Sequence, residues 1–435
     1  MTSTDWNGKI MKKMKDSGIE WIGQIPEDWN IWPTKRFFRH TKMLAGEQVD
    51  SYERLALTMN GVIKRSKEDS EGLQPEKFDT YQVLRENELV FKLIDLANVK
   101  TSRVGLSPYT GIVSPAYIVL TNDSEDNRFY YYYFMSMYYN EIFNNLGDNG
   151  VRSSLNAQDL LNIPTVDIPN SLRKRIANFL DEKCGKIDRY IEKQQQVIEK
   201  LKAYKQSVIT EAVTKGLDPD ASMKDSGITC VGEIPAHWSV IRLKYITDAI
   251  GDGLHGTPEY DSDGEYYFLN GNNIGNENLV FKDNTDRLSE SEYKKYKPVN
   301  INENTILITL NGATYGKTSF YNNERVLLGK SAGYITLKDG ENKYFVRLYL
   351  QSHIARLVME LSLCGSTIAN LSLKTLNEFV MPYPPCDEQE QIVEYLTARC
   401  FEIDSVIDKK QSLIDKLTEY KKSLIYEAVT GKMEV

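Results

Sequence analysis

The sequence predicts an α/β protein: two α/β domains related by a pseudo-twofold, joined by two long antiparallel coiled-coil-like helices. Three observations predict it: an internal repeat spanning the chain, two unlike inserts of mixed strand and helix character, and an apolar heptad closing each half. Residues 14–19 read MKDSGI, and residues 223–228 read MKDSGI again. The register then holds, with Ile25-Pro26 matching Ile234-Pro235, Trp29 matching Trp238 and Lys35 matching Lys244. A second block repeats at an offset of 216, pairing Cys184 with Cys400, Ile187-Asp188 with Ile403-Asp404, and EAVT at 211–214 with EAVT at 427–430. A constant frame carrying two variable inserts suggests a pseudo-dyad object that reads two different things.

Each half opens on a Gly/Pro-punctuated, turn-rich lead, DSGIEWIGQIPEDW or DSGITCVGEIPAHW. Short β-like runs follow at residues 113–120, 305–310 and 325–328. Helix-like stretches stand late in each insert, at residues 128–146 and 343–361. A Ser/Leu-rich loop then ends in Ile163-Pro164 or Met381-Pro382.

A long helix comes last. Ser171 and Asp387 are placed to cap its two copies, and no proline interrupts residues 172–217 or 388–435. Ile187, Tyr190, Ile191, Val197, Ile198, Leu201, Tyr204, Val208 and Ala212 form a heptad seam with an extra stripe, and the second copy keeps the register. Residues 171–216 carry 11 basic and 6 acidic side chains, and residues 387–435 carry 7 and 11. Opposite net charge favours pairing the two helices with each other. Restoring the pseudo-dyad makes the pair antiparallel, a rod of ~65–70 Å at ~1.5 Å rise per residue. The bland alternative is two amphipathic helices in separate cores.

At 435 residues the chain exceeds one hydrophobic core, so two or more domains are expected. Five cysteines without a CxxC fit a reducing compartment, Cys184 and Cys400 serving as small buried hydrophobes. No run approaches the ~18 apolar residues of a membrane span. The N-terminus lacks the apolar core of a signal peptide, so a cytoplasmic location is expected. The net charge of −8 argues weakly against nucleic-acid binding, but residues 30–165 and 240–382 each carry 15 basic against 17 acidic residues. A basic face on each insert therefore stays open, with a partner supplying much of any phosphate contact.

The stretch PYPPCDEQEQIVEYL at 382–396, the helix that follows it, and the IPEDW and IPAHW leads resemble the specificity (S) subunit of Type I restriction–modification systems over essentially the whole chain. The first half departs around residues 168–175, where IPNSLRKRI replaces the Pro-Pro-acidic-Glu-Gln run. The resemblance implies two α/β target-recognition domains in a conserved frame. On this reading residues 1–24 are the N-terminal lead and 25–168 target-recognition domain 1. Residues 169–217 form the central helical region and 218–233 the second lead. Target-recognition domain 2 spans 234–385 and the distal helical region 386–435. It further implies a non-catalytic, DNA-binding subunit that reads a bipartite asymmetric target, one half per domain, with the helices setting the spacer. The implied partners are double-stranded DNA, two adenine N6-methyltransferase (modification) subunits and restriction/translocase subunits, with no membrane. The chain itself would hold no cofactor, since S-adenosylmethionine, ATP and Mg would belong to the partners.

The candidate DNA contacts are donor- and acceptor-rich side chains in the inserts. In the first insert they are Asn60, Lys64 and Arg65, then Lys92, Arg103 and Tyr109, and the pair Arg152 and Ser153. Arginines lead because bidentate Arg–guanine pairing is the commonest specific contact. The second insert offers His255 and Thr257 in the Gly-rich GDGLHGTPEY loop, where glycines permit close approach. It also offers Thr314, Tyr315 and Lys317 in NGATYGKTSFY, then Lys330, and the Ser366-Thr367 turn. For each of these a solvated side chain or ordinary turn is the alternative. The aromatic run at 129–139 looks like a stacking platform, but its helical position predicts core packing.

Enzymatic readings find no support in the sequence. The Gly312–Gly316–Lys317–Thr318 spacing is one residue short of a phosphate loop. Tyr383-Pro384-Pro385-Cys386 is not a methyltransferase motif, and the four histidines lack ligand spacing. Two alternatives stay open: a coiled-coil scaffold with two non-DNA-binding globules, and the specificity subunit of a Type IIB-like enzyme.

Overall fold

The structure is a computed structural model that describes residues 13–69, 77–94, 96, 103–146, 154–297, 300–362 and 370–435. It divides into two compact units. Unit 1 comprises Met1–Gln194 and Ser412–Val435, and unit 2 comprises Gln195–Gln411. Each unit therefore contains one insert and a stretch of both long helices, which run Asn170–Lys215 and Cys386–Val429.

The repeated lead folds the same way twice. In unit 1, Met14–Asp16 pairs antiparallel with Gln24–Pro26; in unit 2, Met223–Asp225 pairs with Glu233–Pro235. The DSG triplet explains the identity. Asp16 Oδ1 accepts from the Gly18 amide at 2.9 Å and Asp225 Oδ1 from Gly227 at 3.0 Å, while Gly18 and Gly227 take left-handed φ of 72° and 69°. The lead is thus a short hairpin as well as a turn. It positions Trp29 or Trp238, each 1% exposed, over the core.

The end of a long helix closes on each tryptophan. Gly216 (φ 74°) ends the first helix, and a Cβ there would lie 3.2 Å from the Trp238 ring. Gly431 (φ 73°) follows the second, and a Cβ there would lie 2.6 Å from Pro26 and 2.8 Å from Trp29. Val208, Ile209, Ala212 and Val213 enter the unit 2 core, and the equivalent Leu424, Ile425, Ala428 and Val429 enter that of unit 1.

Within each unit the two helices run antiparallel. In unit 1 Lys421 Nζ lies 2.7 Å from Asp188, and in unit 2 Lys205 Nζ lies 2.5 Å from Asp404. The repeat offset converts one ion pair into the other, so the register is the same in both units. Seam positions Ile187, Ile198, Ile403 and Ile414 are buried, whereas Tyr190, Tyr204 and Tyr420 are about half exposed.

The inserts share a topology despite their sequences. In unit 1 one sheet orders Arg39–His40, Ile118–Thr121, Leu89–Phe91 and Val104–Leu106; a second orders Gly61–Arg65, Arg54–Thr58, Gly111–Val113 and Gln82–Leu84. Unit 2 repeats the first order with Thr247–Asp252, Ala332–Leu337, Thr305–Thr309 and Thr318–Phe320. Its second sheet keeps the parallel pairing, Tyr266–Leu269 beside Val326–Leu328. The run at 113–120 is two strands divided by a turn, because Ser114 and Pro115 interrupt it.

Each helix-like stretch is two helices. Arg128–Tyr139 stops at Asn140, and Glu141 at φ 56° precedes Ile142–Leu146. Lys343–Gln351 and His353–Ser362 break at Ser352, which is extended and buried. The aromatic run is core: Phe129, Tyr130, Tyr132, Tyr133 and Phe134 are buried, and edge-on ring contacts such as Phe91–Phe134 at 5.1 Å hold it.

Candidate nucleic-acid interface

In unit 2 the candidates converge because three loops leave one end of the first sheet. The strand pair Asp252–Gly333 ends beside the Thr309–Ala332 pair, so the loop after Asp252, the turn at 329–331 and the hairpin turn at 310–317 are neighbours. The Leu310 amide donates to Ser331 O at 2.9 Å, and the Leu254–Gly329 bridge ties down the Gly-rich loop. This end carries exposed His255, Thr257, Thr314, Lys317 and Lys330. His255 Nε2 lies 2.6 Å from Asp252 Oδ2, which orients the ring.

Two of the three glycines of that loop are required by the protein's own packing. A Cβ on Gly253 would lie 2.3 Å from Leu328 backbone, and one on Gly251 would lie 2.4 Å from Tyr334. Only Gly256 of the three has open space. Tyr315 also turns inward. It is 8% exposed, donates from its hydroxyl to Glu360 Oε1 at 3.2 Å and lies under Arg356, and burial raises its pKa.

Unit 1 places its candidates in two groups. Lys64 and Tyr109 meet across 45 positions of sequence: Lys64 Nζ lies 5.0 Å from the Tyr109 ring centre and 2.5 Å from Glu53, whose hydrogen bond raises the lysine pKa. Arg65 Nε donates to Asp69 at 2.6 Å, and Asn60 sits at the tip of the hairpin between Arg54–Thr58 and Gly61–Arg65. A concavity of about 490 Å³ joins Lys64 and Arg65 to Arg54 and Lys67. Sequence reasoning passed over Arg54, whose guanidinium lies 5.3 Å from the Phe78 ring.

The second group sits at the end of the other sheet, where the Lys92 amide donates to Arg103 O at 2.9 Å. In unit 2 the Thr309 amide donates to Lys317 O in the same way, so Arg103 is the topological counterpart of Lys317. Their side chains differ: Arg103 is 3% exposed, donates to Asn144 Oδ1 at 3.1 Å and packs near Tyr138, a structural role. Lys92 is half-buried. Arg152, Ser153, Ser366 and Thr367 lie outside the described residues.

Among the described residues no group of His, Cys, Asp and Glu could hold a metal, and no helix is long and apolar enough to cross a membrane.

A family model described as the Type I restriction modification DNA specificity domain matches residues 235–414. The chain is 25% identical over 273 residues to the Type I restriction enzyme MjaVIII specificity subunit of Methanocaldococcus jannaschii. It is 28% identical over 292 residues to the putative type I restriction enzyme MjaX specificity subunit of the same organism. These alignments cover 61% and 65% of this chain and 61% and 62% of those proteins, so the chain spans about three fifths of the length of the curated relatives it matches. A solved chain from work on complex assembly and conformational transition of the type I R-M system superposes with a TM-score of 0.68 at 16% identity, covering 94% of this chain and 99% of that one. That likeness concerns the fold.

Proposed function

We infer a function from one premise: the chain belongs to the specificity subunits of Type I restriction–modification systems. It recognises DNA sequence, one half of a bipartite target by each insert, and directs partner subunits that methylate adenine or restrict. The observation that carries this reading is one sheet frame bearing two different loop sets. The unit 2 end presents His255, Thr257, Thr314, Lys317 and Lys330, while unit 1 presents Asn60 at a hairpin tip, Tyr109 against Lys64, and Lys64 and Arg65 in a concavity that also holds Arg54, Lys67, Glu53 and Glu68. Lysines position the backbone, and the polar loop groups read base edges.

Two equivalent partner contacts fit two modification subunits. In unit 1 Tyr190 and Tyr420 are 54% and 57% exposed on the helix pair, and in unit 2 Tyr204 and Val406, the repeat equivalents, are 47% and 41% exposed. Three tyrosines and a valine standing out of a seam suit a protein interface. S-adenosylmethionine, ATP and Mg are assigned to those partners.

The test is an N6-methyladenine map of a naive host genome, with this chain and its neighbouring methyltransferase against the methyltransferase alone. A new two-part motif that needs this chain is expected. A soluble complex that adds no motif overturns the reading. Exchanging residues 25–165 for another family insert should change one half of that motif only.

A further inference from the structure

We propose that the polar cavity of unit 2, between the long helices and the pair Lys343–Gln351 and His353–Ser362, is a binding site for a phosphate-class oxyanion, held by Arg347 with Lys317 at its mouth. The cavity holds about 470 Å³, ample for a tetrahedral anion and its waters, and its lining includes Lys205, Glu277, Lys317, Arg347, Arg356 and Asp404.

Arg347 carries the argument. It is 4% exposed on the inward face of its helix, and its Nε is buried with no hydrogen-bond partner. The guanidinium lies 4.6 Å from the Phe320 ring centre, which supplies a π-face but no acceptor. Buried charges in proteins are paired, and a guanidinium has no neutral form to retreat to near neutral pH. Burial pulls its pKa down only to about 10, so the charge persists. A cation of this kind opening on a polar cavity needs an anion.

The neighbouring charges are accounted for. Lys205 is bound to Asp404 at 2.5 Å, and Arg356 Nε donates to Glu360 at 3.2 Å. Lys317 is exposed on the hairpin turn and makes no described side-chain contact, so among the described lining residues two cations, Arg347 deep and Lys317 at the rim, have no acidic partner. Glu277 is the competitor. It is exposed at the rim and its field favours charged Arg347, yet the structure records no ion pair between them. Phosphate fits better than a carboxylate side chain of this chain, because three or more oxygens serve a fork of donors and a lysine together.

The test uses the full chain and inorganic phosphate. Thermal unfolding is followed against phosphate concentration, with chloride at matched ionic strength as reference. Wild type should show a saturable rise in Tm. Arg347→Met, which keeps side-chain bulk and removes the buried charge, should lose the saturable response. Lys317→Gln, a surface change, should weaken apparent affinity at least severalfold, and Glu277→Gln should tighten it. A wild-type response no different from chloride, or an equal response in Arg347→Met, overturns the site and leaves Glu277 as the partner. Duplex binding identifies the source of the phosphate. If Arg347→Met lowers the slope of log affinity against log salt by about 0.9, the anion is one backbone phosphate. If duplex binding is unchanged while the phosphate response is lost, the ligand is a free phosphate.

Discussion

The repeat supplies its own control for one partly buried hydrogen bond. Trp238 Nε1 donates to Glu388 Oε2 at 2.8 Å, and the same carboxylate lies 2.5 Å from His237 Nε2. Trp29 occupies the equivalent place in unit 1, equally buried at 1%, but its Nε1 is without a partner because Leu172 stands where Glu388 stands in the second half. Replacing either tryptophan by phenylalanine loses similar apolar area, yet only Trp238→Phe breaks a charge-assisted bond. Such bonds contribute about 1.5–3 kcal/mol. The Glu388 side chain is 31% exposed, which lowers the expectation to about 1–2 kcal/mol. Trp238→Phe should therefore destabilise unit 2 by about 1–2 kcal/mol more than Trp29→Phe destabilises unit 1. Denaturant unfolding, with hydrogen exchange at each lead hairpin, separates the two. In the Trp238→Phe background Glu388→Gln should cost correspondingly less than in wild type. Equal costs for the two tryptophans, or no coupling to Glu388, would refute the reasoning.

Four further outcomes follow for residues described above. On the proposed function, Lys317→Ala should weaken duplex binding at low salt and reduce the log–log salt slope by about 0.9, the loss of one lysine–phosphate contact; mobility-shift titration at several salt concentrations measures it. Gly253→Ala should destabilise by about 1–3 kcal/mol, since its Cβ would fall 2.3 Å from Leu328 backbone. Gly256→Ala, in open space, should stay within ~0.5 kcal/mol by thermal melts. The hydrogen bond from Arg128 holds the Asp126 carboxyl below its ordinary value, so the unfolded chain takes up the proton first as pH falls. That stabilisation is complete above the ordinary carboxylate range and fades below it. The stability gap between wild type and Asp126→Asn should be constant near neutrality and narrow below pH ~4, measured by denaturant unfolding across pH.

Much of the frame was legible in the sequence because local patterns specify it. The seam at Ile187, Ile198, Ile403 and Ile414 is a periodic signal, and the repeat itself dictated antiparallel pairing. The hairpin in each lead escaped notice because its turn residues outweigh strands of three residues. The breaks at Glu141 and Ser352 carry no proline or glycine to announce them. The site was harder, because a side chain's exposure depends on residues distant in sequence. Arg103 looked available until Asn144, 41 positions away, took its guanidinium. Gly251 and Gly253 signalled close approach correctly, but to Tyr334 and Leu328. Arg347 had left a trace, a charge inside the apolar face of KYFVRLYLQ, which reads at first as a stem lying along the surface.

The two ion pairs between the long helices have an arithmetic of their own. Asp188 meets Lys421 and Lys205 meets Asp404, and the repeat equates Asp188 with Asp404 and Lys205 with Lys421. Each helix therefore holds both the acid and the base of its own palindrome, spaced so that a copy of itself, turned around, would satisfy them equally. Net charge now distinguishes the two helices, but these four residues do not. A palindrome of this kind means that two copies of either half alone carry every charge needed to form the same antiparallel pair. The paired frame therefore places no demand on the sequence of either insert, and the two inserts differ.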